Sequence, residues 1–367
     1  MSKKLLFIAI VWVAFACHEK KTGAPSAFSI EAQVKGFADS TWFFLEYNDH
    51  VLDSAQVMNN HFQFTGPFPD SLAAAQMILH TKNYTDYKFF WAEPAALTLT
   101  GEKGKFRNTL LSGSATQRVS DQYDEFLAPG QEKVDSLRRL IYSPTSQAKA
   151  DTTGLMTQLR AAETALQNRS ITFLHDHPAS IVSANILNIM GSTYGKQATQ
   201  ELYDHFTDAN KQSSFGKEIH RYLSLNRDLK IGDHYADFEE AAPDGTRLKL
   251  SAVSGKLVLL EFWASWCGPC RQENPALVKT YSEFRKKGFE ILGVSLDNKR
   301  APWIAAIQSD SLSWPQVSDL KGAQNEAALI YGVNAIPMNL LINDKGIIVA
   351  KSLRGEDLRK RLAEMLK

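Results

Sequence analysis

Cysteine is scarce in this sequence, with only three residues among 367. An excess of one charge is also missing, because 41 lysines and arginines balance 40 aspartates and glutamates. After the first twenty residues there is no internal repeat and no apolar run of the ~20 residues that a membrane-spanning helix needs. The low cysteine count excludes a small disulfide scaffold. The balanced charge argues against a nucleic-acid partner, which requires a basic excess.

The chain opens with a basic and then apolar segment. Two lysines precede the stretch from Leu5 to Ala16, which is too short for a stable anchor and typical of a signal peptide. The following Cys17 makes this junction resemble a bacterial lipobox, so we expect residues 1–16 to be a signal peptide and Cys17 to carry lipid. The alternative is an ordinary signal peptide that leaves a free Cys17 thiol, which an oxidising compartment disfavours. The resemblance implies a periplasm-facing lipoprotein of the cell envelope, in the inner or the outer membrane.

Three regions with different periodicity follow. Residues 27–113 contain short apolar or alternating runs between turn residues, which predicts an antiparallel β-sandwich or small barrel. Residues 114–228 carry apolar residues three and four positions apart, which predicts a helical middle region. Strands and helices alternate over residues 229–367, where "KLVLLEFWA" is typical of a strand buried on both faces of an α/β sheet. The sequence therefore predicts a multi-domain protein.

The predicted elements fall in short segments within these regions. In the β-rich region the strand pattern is clearest in five segments, 28–37, 40–48, 61–68, 73–80 and 96–103. In the helical region the pattern covers four segments, 118–127, 132–142, 154–177 and 215–226.

Cys267 and Cys270 form a Cys-Gly-Pro-Cys motif directly after the predicted buried strand. A disulfide between them would close a ring of only four residues, which disfavours a purely structural bridge. A zinc site would need further ligands, and no second Cys-x-x-Cys pair exists. A helix start at Cys267 would stabilise its thiolate for attack on a disulfide, with Cys270 one turn away. The motif predicts a working dithiol with an exposed, low-pKa Cys267 and a buried Cys270, and this chemistry requires neither a metal nor a dissociable cofactor.

The segment "VLLEFWASWCGPCRQENP" resembles the active site of thioredoxin-fold proteins, and more closely that of the TlpA/ResA-like thiol–disulfide oxidoreductases. The resemblance covers residues 231–367 and includes Pro275, five positions after Cys270, and a distant Ile-Pro pair. The N-terminal β-rich region is similar to an uncharacterised domain that occurs upstream of such modules in bacterial lipoproteins. The resemblance implies a thioredoxin fold for residues 229–367.

Roles for individual residues follow from this resemblance. Pro337 matches the cis-proline that holds an extended substrate segment beside the disulfide. Glu261 matches the buried acid of thioredoxins, and its apolar strand favours a raised pKa and a part in relaying the proton of Cys270. Glu273 matches an acid of ResA-like members with a similar role, or is a solvated helix charge.

Substrate contacts are expected around the motif and before the cis-proline. The residues concerned are Trp266, Gly268, Pro269, Ile336 and Pro337. Trp263 and Trp266 would shield the site, although Trp263 fits a plain core position equally well.

The resulting hypothesis is a membrane-tethered, periplasm-facing enzyme that reduces disulfide-bearing protein substrates and receives electrons from a membrane thiol donor. Gly268, Pro269 and Ile336 match the reducing thioredoxins, so the expected potential is nearer to about −270 mV than to the about −120 mV of DsbA. One alternative is a ligand-binding or structural lipoprotein in which the thioredoxin-like domain is accessory. Another is a thiol peroxidase, because peroxiredoxins share the fold.

Overall fold

The computed structural model describes residues 27–68, 74–142 and 152–367. The expected signal peptide and Cys17 lie outside these residues. The chain divides into two compact units, one that ends at Ser120 and one that runs from Asp121 to Lys367. The β-rich domain therefore belongs to the first unit, and most of the helical region belongs with the α/β domain to the second.

Eight strands lie in the described part of the first unit. They are β1 (Ala27–Lys35), β2 (Trp42–Tyr47), β3 (His50–Gln56), β4 (His61–Pro67), β5 (Ala75–Thr81), β6 (Tyr87–Ala92), β7 (Ala96–Glu102) and β8 (Leu110–Ser112). They form two four-stranded sheets, with the orders β4-β1-β7-β8 and β3-β2-β5-β6. Side chains of both sheets share one core, in which Phe43 stacks on Phe62 with ring centroids 4.5 Å apart. The predicted sandwich is therefore present.

The first strand departs from the predicted antiparallel pattern. β1 pairs antiparallel with β4 but parallel with β7. Parallel neighbours need a long connection, and here the connection includes the four strands of the second sheet. The prediction of an antiparallel sandwich is therefore wrong at this pair.

In the middle region, the described residues form six helices. They are α1 (Ala115–Tyr142), α2 (Thr152–Asp176), α3 (Ile181–Tyr194), α4 (Lys196–His205), α5 (Asp208–Gln212) and α6 (Ser214–Leu225). The segments 118–127 and 132–142 belong to one continuous helix, α1, which contains Pro129. The helical pattern did not cover α3, α4 and α5. Within the described ranges, no helix is long and apolar enough to cross a bilayer.

The C-terminal domain has the alternating architecture that the sequence predicts. Its strands are β9 (Glu239–Ala241), β10 (Arg247–Lys249), β11 (Leu257–Trp263), β12 (Phe289–Ser295), β13 (Gln316–Val317), β14 (Met338–Asn343) and β15 (Ile348–Lys351). Its helices are α7 (Gly268–Phe284), α8 (Arg300–Ser309), α9 (Glu326–Tyr331) and α10 (Gly355–Met365). β9 and β10 form a hairpin before a five-stranded sheet of order β13-β12-β11-β14-β15.

β11 is the centre of this sheet and positions the cysteine motif. It pairs parallel with β12 and antiparallel with β14, and all seven of its residues are buried. A strand covered on both faces favours a nearly continuous apolar run, which β11 has at every position except Glu261. The end of β11 therefore fixes where the following loop and α7 begin.

The helical region is joined to the C-terminal domain through α6 and α9. The Nδ2 atom of Asn226 donates to the carbonyl oxygen of Leu329 at 3.1 Å, and the backbone N–H of Arg227 donates to the carbonyl oxygen of Ile330 at 3.0 Å. Because these bonds satisfy carbonyl groups in the last turn of a helix, they stabilise α9 and the junction together.

Candidate active site

Cys267 and Cys270 lie at the junction of β11 and α7 and form a disulfide. Cys267 is the N-cap of α7, and its Sγ accepts a hydrogen bond from the backbone N–H of Cys270 at 3.2 Å. Pro269 lies in the first helical turn, where a missing N–H leaves no intrahelical bond unmade. The helix start thus places the Cys267 sulfur next to a backbone donor, where negative charge is favoured.

Both cysteines of the disulfide are buried, whereas the residue before them and the two between them in the sequence are exposed. Cys267 is 4% exposed and Cys270 is 1% exposed, so the prediction of an exposed Cys267 is wrong for the disulfide form. The cause is the cap position, in which the side chain of Cys267 turns toward the first turn of α7. The neighbouring Gly268 and Pro269 are exposed, and Trp266 is 65% exposed. A partner molecule would therefore meet these three residues first.

The loop before Cys267 is held by a buried aspartate that sequence reasoning missed. Asp297 is 2% exposed and accepts hydrogen bonds from the backbone N–H and the hydroxyl of Ser265, the former at 2.9 Å. It also accepts from the hydroxyl of Ser295 at 2.6 Å. On the other side, Arg271 donates to the carbonyl oxygen of Ser265 at 3.1 Å and forms an ion pair with Asp310. These contacts fix the backbone that leads into the motif.

The two tryptophans of the motif region have different positions. Trp263 is 2% exposed and donates from Nε1 to Oε1 of Gln316 at 2.9 Å. A Cβ at Gly293 would lie 2.3 Å from that same oxygen, so this strand position has room only for glycine. Trp263 is therefore a core residue. Trp266 lies open to solvent beside the disulfide and is available to a partner.

The Ile336–Pro337 peptide bond is cis, as the family resemblance implied. Met338, the next residue, pairs with Phe262 of β11, so Pro337 lies next to the end of the strand that leads into the motif. Pro337 is buried and Ile336 is half-buried. The substrate contacts that we expect of these two residues, like those of Trp266, Gly268 and Pro269, stay predictions.

Glu261 is the buried acid of β11. It is 7% exposed, and its Oε2 has no hydrogen-bond partner among the described residues. The pKa of Glu261 is raised to about 8, mainly by burial and also by the charge of Glu273, while Asn339 and Arg354 act in the opposite direction. The pKa of Glu261 is therefore raised, as its place in an apolar strand indicated. Glu261 can gain and lose its proton close to neutral pH.

Arg354 connects the second predicted acid to the cis-proline. It forms an ion pair with Glu273, Nη1 to Oε1, at 3.0 Å, and it donates from Nη2 to the carbonyl oxygen of Pro337 at 2.6 Å. Glu261, Glu273 and Arg354 also line a common cavity of about 310 Å³. Glu273 takes part in a charged cluster around the cis-proline but stays partly exposed, and its role in proton relay stays a prediction.

No motif in the sequence indicated Arg354, which follows β15 near the end of the chain.

Among the described residues, no group of three or more His, Cys, Asp and Glu side chains is placed to hold a metal ion. Chemically, the arrangement offers a disulfide at a helix start, a titratable acid and an exposed aromatic surface. This is the equipment of thiol–disulfide exchange.

Comparison with known proteins matches two segments of the chain to protein families. The AhpC/TSA family profile matches residues 231–351, and the profile of DUF4369, a domain of unknown function, matches residues 28–119. The chain is 30% identical over 146 residues to the thiol-disulfide oxidoreductase ResA of Bacillus cereus, which covers 40% of this chain and 82% of that protein. It is 31% identical over 140 residues to ResA of Halalkalibacterium halodurans, which covers 38% and 78%. A solved thiol-disulfide oxidoreductase of Bacteroides fragilis is 38% identical, with a TM-score of 0.35 over 36% of this chain and 99% of that chain.

Proposed function

This chain belongs to the ResA-like thiol–disulfide oxidoreductases, and we propose that it reduces disulfide bonds in other proteins through the Cys267–Cys270 dithiol. The observation that carries the proposal is the disulfide at the N-cap of α7, which directly follows the exposed Trp266, together with a cis-proline that directly precedes β14, the strand paired with β11. This surface admits a polypeptide because the residues around the sulfurs, unlike the sulfurs themselves, are open.

The proposed reaction proceeds in two exchanges that start from the reduced enzyme. The Cys267 thiolate attacks one sulfur of the substrate disulfide, forms a mixed disulfide and releases the other substrate sulfur as a thiolate, which takes up a proton. The Cys270 sulfur, after losing its proton, then attacks the Cys267 sulfur and releases the second substrate thiol. Two electrons pass from the dithiol to the substrate, and the enzyme is left in the disulfide form described above. A second dithiol then reduces it again.

Glu261 is the proposed acceptor of the Cys270 proton. Its unpartnered Oε2 and a pKa of about 8 suit a group that gains and loses a proton near neutral pH. Glu273 would act through its charge, since its carboxylate raises the pKa of Glu261 and is itself held by Arg354.

We further propose that a lipid on Cys17 anchors the enzyme to a membrane. The enzyme then faces the periplasm and receives electrons from a membrane thiol donor. The support is the basic and apolar N-terminal sequence before Cys17. Labelled palmitate should enter the wild-type protein in cells and should not enter Cys17→Ser. A wild-type protein without label would overturn the anchor and leave the redox chemistry untouched.

The proposed direction of electron flow is toward the substrate. The Gly-Pro pair between the cysteines matches the reducing thioredoxins, so we expect a potential nearer to about −270 mV than to about −120 mV. Equilibration with defined glutathione ratios, followed by tryptophan fluorescence, measures it. A value at the oxidising end would reverse the assignment from reductase to oxidase.

Insulin reduction by dithiothreitol tests the activity itself. The wild type should accelerate it, and Cys267→Ser should not. When it is reduced beforehand and freed of dithiothreitol, Cys270→Ser should accumulate a stable mixed disulfide with insulin, because the resolving sulfur is missing. Iodoacetamide should label Cys267 before Cys270 in the reduced protein, because the helix start lowers the pKa of the attacking thiol. Preferential labelling of Cys270, or a wild type without effect on insulin, would contradict the proposal.

The match to the AhpC/TSA family profile favours a thiol peroxidase as a second candidate. In that reaction, peroxide would oxidise Cys267 to a sulfenic acid, and Cys270 would condense with it to the disulfide with loss of water. Peroxide consumption at equal enzyme concentration separates the two reactions. Turnover of peroxide that exceeds turnover of insulin would replace the first proposal.

A further inference from the structure

A groove lies within the second unit, between the helical region and the C-terminal domain. Its volume is about 580 Å³, a size typical of binding sites. One wall comes from α3 and α6, and the other comes from the loop at Trp266, the start of α9 and the segment before Pro337. Both the helical region and the C-terminal domain therefore contribute walls to the groove.

Large apolar side chains dominate both walls. Ile189 of α3 and Tyr222 of α6 contribute on the helical side, and Trp266, Leu329 and Ile336 contribute on the opposite side. Ile189 is 63% exposed and Trp266 is 65% exposed. Exposed apolar groups that gather in one concave place mark interaction sites, whereas single scattered ones do not.

The groove begins at the redox site. Trp266 directly precedes Cys267, and Ile336 directly precedes the cis-proline. A polypeptide whose cysteine meets Cys267 would therefore continue into the groove with the residues next to that cysteine.

Hydrogen bonds hold the two walls in place. Glu218 of α6 accepts from Nδ2 of Asn188 in α3 at 2.6 Å, and from Nε2 of Gln324 at 3.5 Å. Arg221 of α6 donates from Nη1 to the carbonyl oxygen of Gln324 at 2.8 Å. Because the walls are already ordered, a ligand loses less affinity to the ordering of the protein.

The chemistry of the lining indicates what binds. Of the residues that line the groove, Glu218 and Lys321 are the two that carry charge, and the Glu218 carboxylate is already bonded to two amides. The lining also includes the polar side chains of Ser192 and Asn334. A peptide backbone can hydrogen-bond to such groups, whereas an acyl chain would leave them without partners, which is costly.

We propose that this groove binds an extended, uncharged segment of the oxidised protein substrate, with a large apolar side chain next to the cysteine that Cys267 attacks. The proposal rests on the proposed protein-disulfide reductase function and names its substrate class. It assigns substrate selection to the helical region, which lies outside the redox fold.

Two synthetic peptides of equal length and charge test the proposal. Each carries one intramolecular disulfide, and its cysteines are flanked by Leu and Phe in one peptide and by Ser and Gly in the other. The wild type should reduce the apolar peptide about tenfold faster at subsaturating concentration, the scale of partly burying one apolar side chain. A small aromatic disulfide serves as the reference substrate for the chemistry.

Ile189→Asp should lower the ratio of the apolar to the polar rate about tenfold. Its exposure makes a folding defect unexpected, and circular dichroism checks this. Ile231→Asp is the matched control, since Ile231 is 62% exposed, lies in the same unit and does not line the groove. That variant should keep the wild-type ratio. Ile189→Ser provides a second substitution that adds no charge and should lower the ratio as well.

Equal rates for both peptides in the wild type, or a preference that survives Ile189→Asp, would overturn the groove as a substrate site. Tighter binding of a fatty acid than of the apolar peptide, measured by calorimetry on the wild type, would also overturn it. These outcomes differ from failure of the proposed function, in which the wild type reduces neither peptide at a rate above the dithiothreitol background.

Discussion

The protonation of Glu261 links the stability of the protein to pH. Burial raises the folded-state pKa of Glu261 from its ordinary value of 4.5 to about 8. Between these values the folded protein holds a proton that the unfolded chain has lost, so the free energy of unfolding falls as pH rises. Glu240, another buried acid, acts with the same sign, since burial and the charge of Asp319 raise its pKa to about 7.

Glu261→Gln should remove most of this loss of stability up to pH 8, on the order of 3–5 kcal/mol. It should also slow disulfide exchange by up to about 10²- to 10⁴-fold near neutral pH, because Gln cannot exchange a proton with Cys270. Urea unfolding and exchange rates from pH 5 to 9 measure both effects. Glu240→Gln is the control: it should flatten the stability profile below pH 7 and leave the pH profile of exchange unchanged. A Glu261→Gln exchange profile that overlays the wild type would assign this acid to packing alone.

Arg354 is predicted to act as a positioning residue. Arg354→Gln removes the ion pair with Glu273 and the donor to the Pro337 carbonyl, and it should raise the pKa of Glu261, which Arg354 lowers. We expect exchange to slow about tenfold, the value of one charged hydrogen bond. Stability should change by less than about 1 kcal/mol, because the pair is partly exposed.

Arg359→Gln is the control for Arg354→Gln. Arg359 lies on α10 and forms an ion pair of similar exposure with Glu283 at 2.9 Å, and a second one with Glu356 at 3.5 Å. Arg354→Lys should restore the pKa of Glu261 in the pH profile but only part of the rate, because Lys lacks the fork that reaches both acceptors. If both Gln variants slow exchange alike, Arg354 has no special position.

At the scale of elements, the loop between β11 and α7 depends on Asp297, which lies two residues beyond the end of β12. Asp297→Asn replaces one of the two carboxylate oxygens that accept from Ser265 by an amide nitrogen, which donates and cannot accept. We expect a loss of roughly 1–3 kcal/mol in the free energy of unfolding and slower exchange. Asp237→Asn is the matched control, because exposed Asp237 makes the same pair of bonds to Ser251, at 2.9 and 2.7 Å. Thermal unfolding and insulin reduction measure the two variants, and equal losses would contradict a role for the loop.

Elements that a local pattern of apolar residues or residue spacing defines could be predicted from the sequence, and others could not. β11 and the motif were predictable because an apolar run and a local cysteine spacing define them. α3 has buried residues on several faces, such as Val182, Ala184 and Leu187, so no apolar stripe marks it as a helix. β3 is exposed at nearly every position, so its sequence does not alternate. α1 continues through Pro129, although proline usually ends a helix.

The same distinction between local patterns and long-range contacts explains which residues of the candidate site could be predicted. The resemblance supplied Cys267, Cys270, Pro337 and Glu261, because the family motif contains them. The contact between Arg354 and Glu273 joins residues 81 positions apart. Such a pairing arises from the packing of α10 beside α7, which no local pattern encodes.

At the scale of the whole molecule, the two compact units predict two unfolding transitions in calorimetry. Asn226→Ala removes the bond from α6 to the Leu329 carbonyl and should lower one transition by about 2–8 °C, if the loss is about 1–2 kcal/mol. Phe43→Ala, which opens a cavity in the first core, should lower only the other transition. A single transition that both variants shift would show that the chain unfolds as one cooperative body.

The position of β1 has a consequence for synthesis on the ribosome. β1 precedes the other described strands in the chain, yet it lies between β4 and β7 and pairs with residues up to Glu102. Until those residues have left the exit tunnel, the side of β1 that later pairs with β7 is an unpaired edge that another nascent copy could capture. Completion of the first sheet therefore waits on a distant stretch of chain, which makes this unit slow to form relative to a helical unit of similar size.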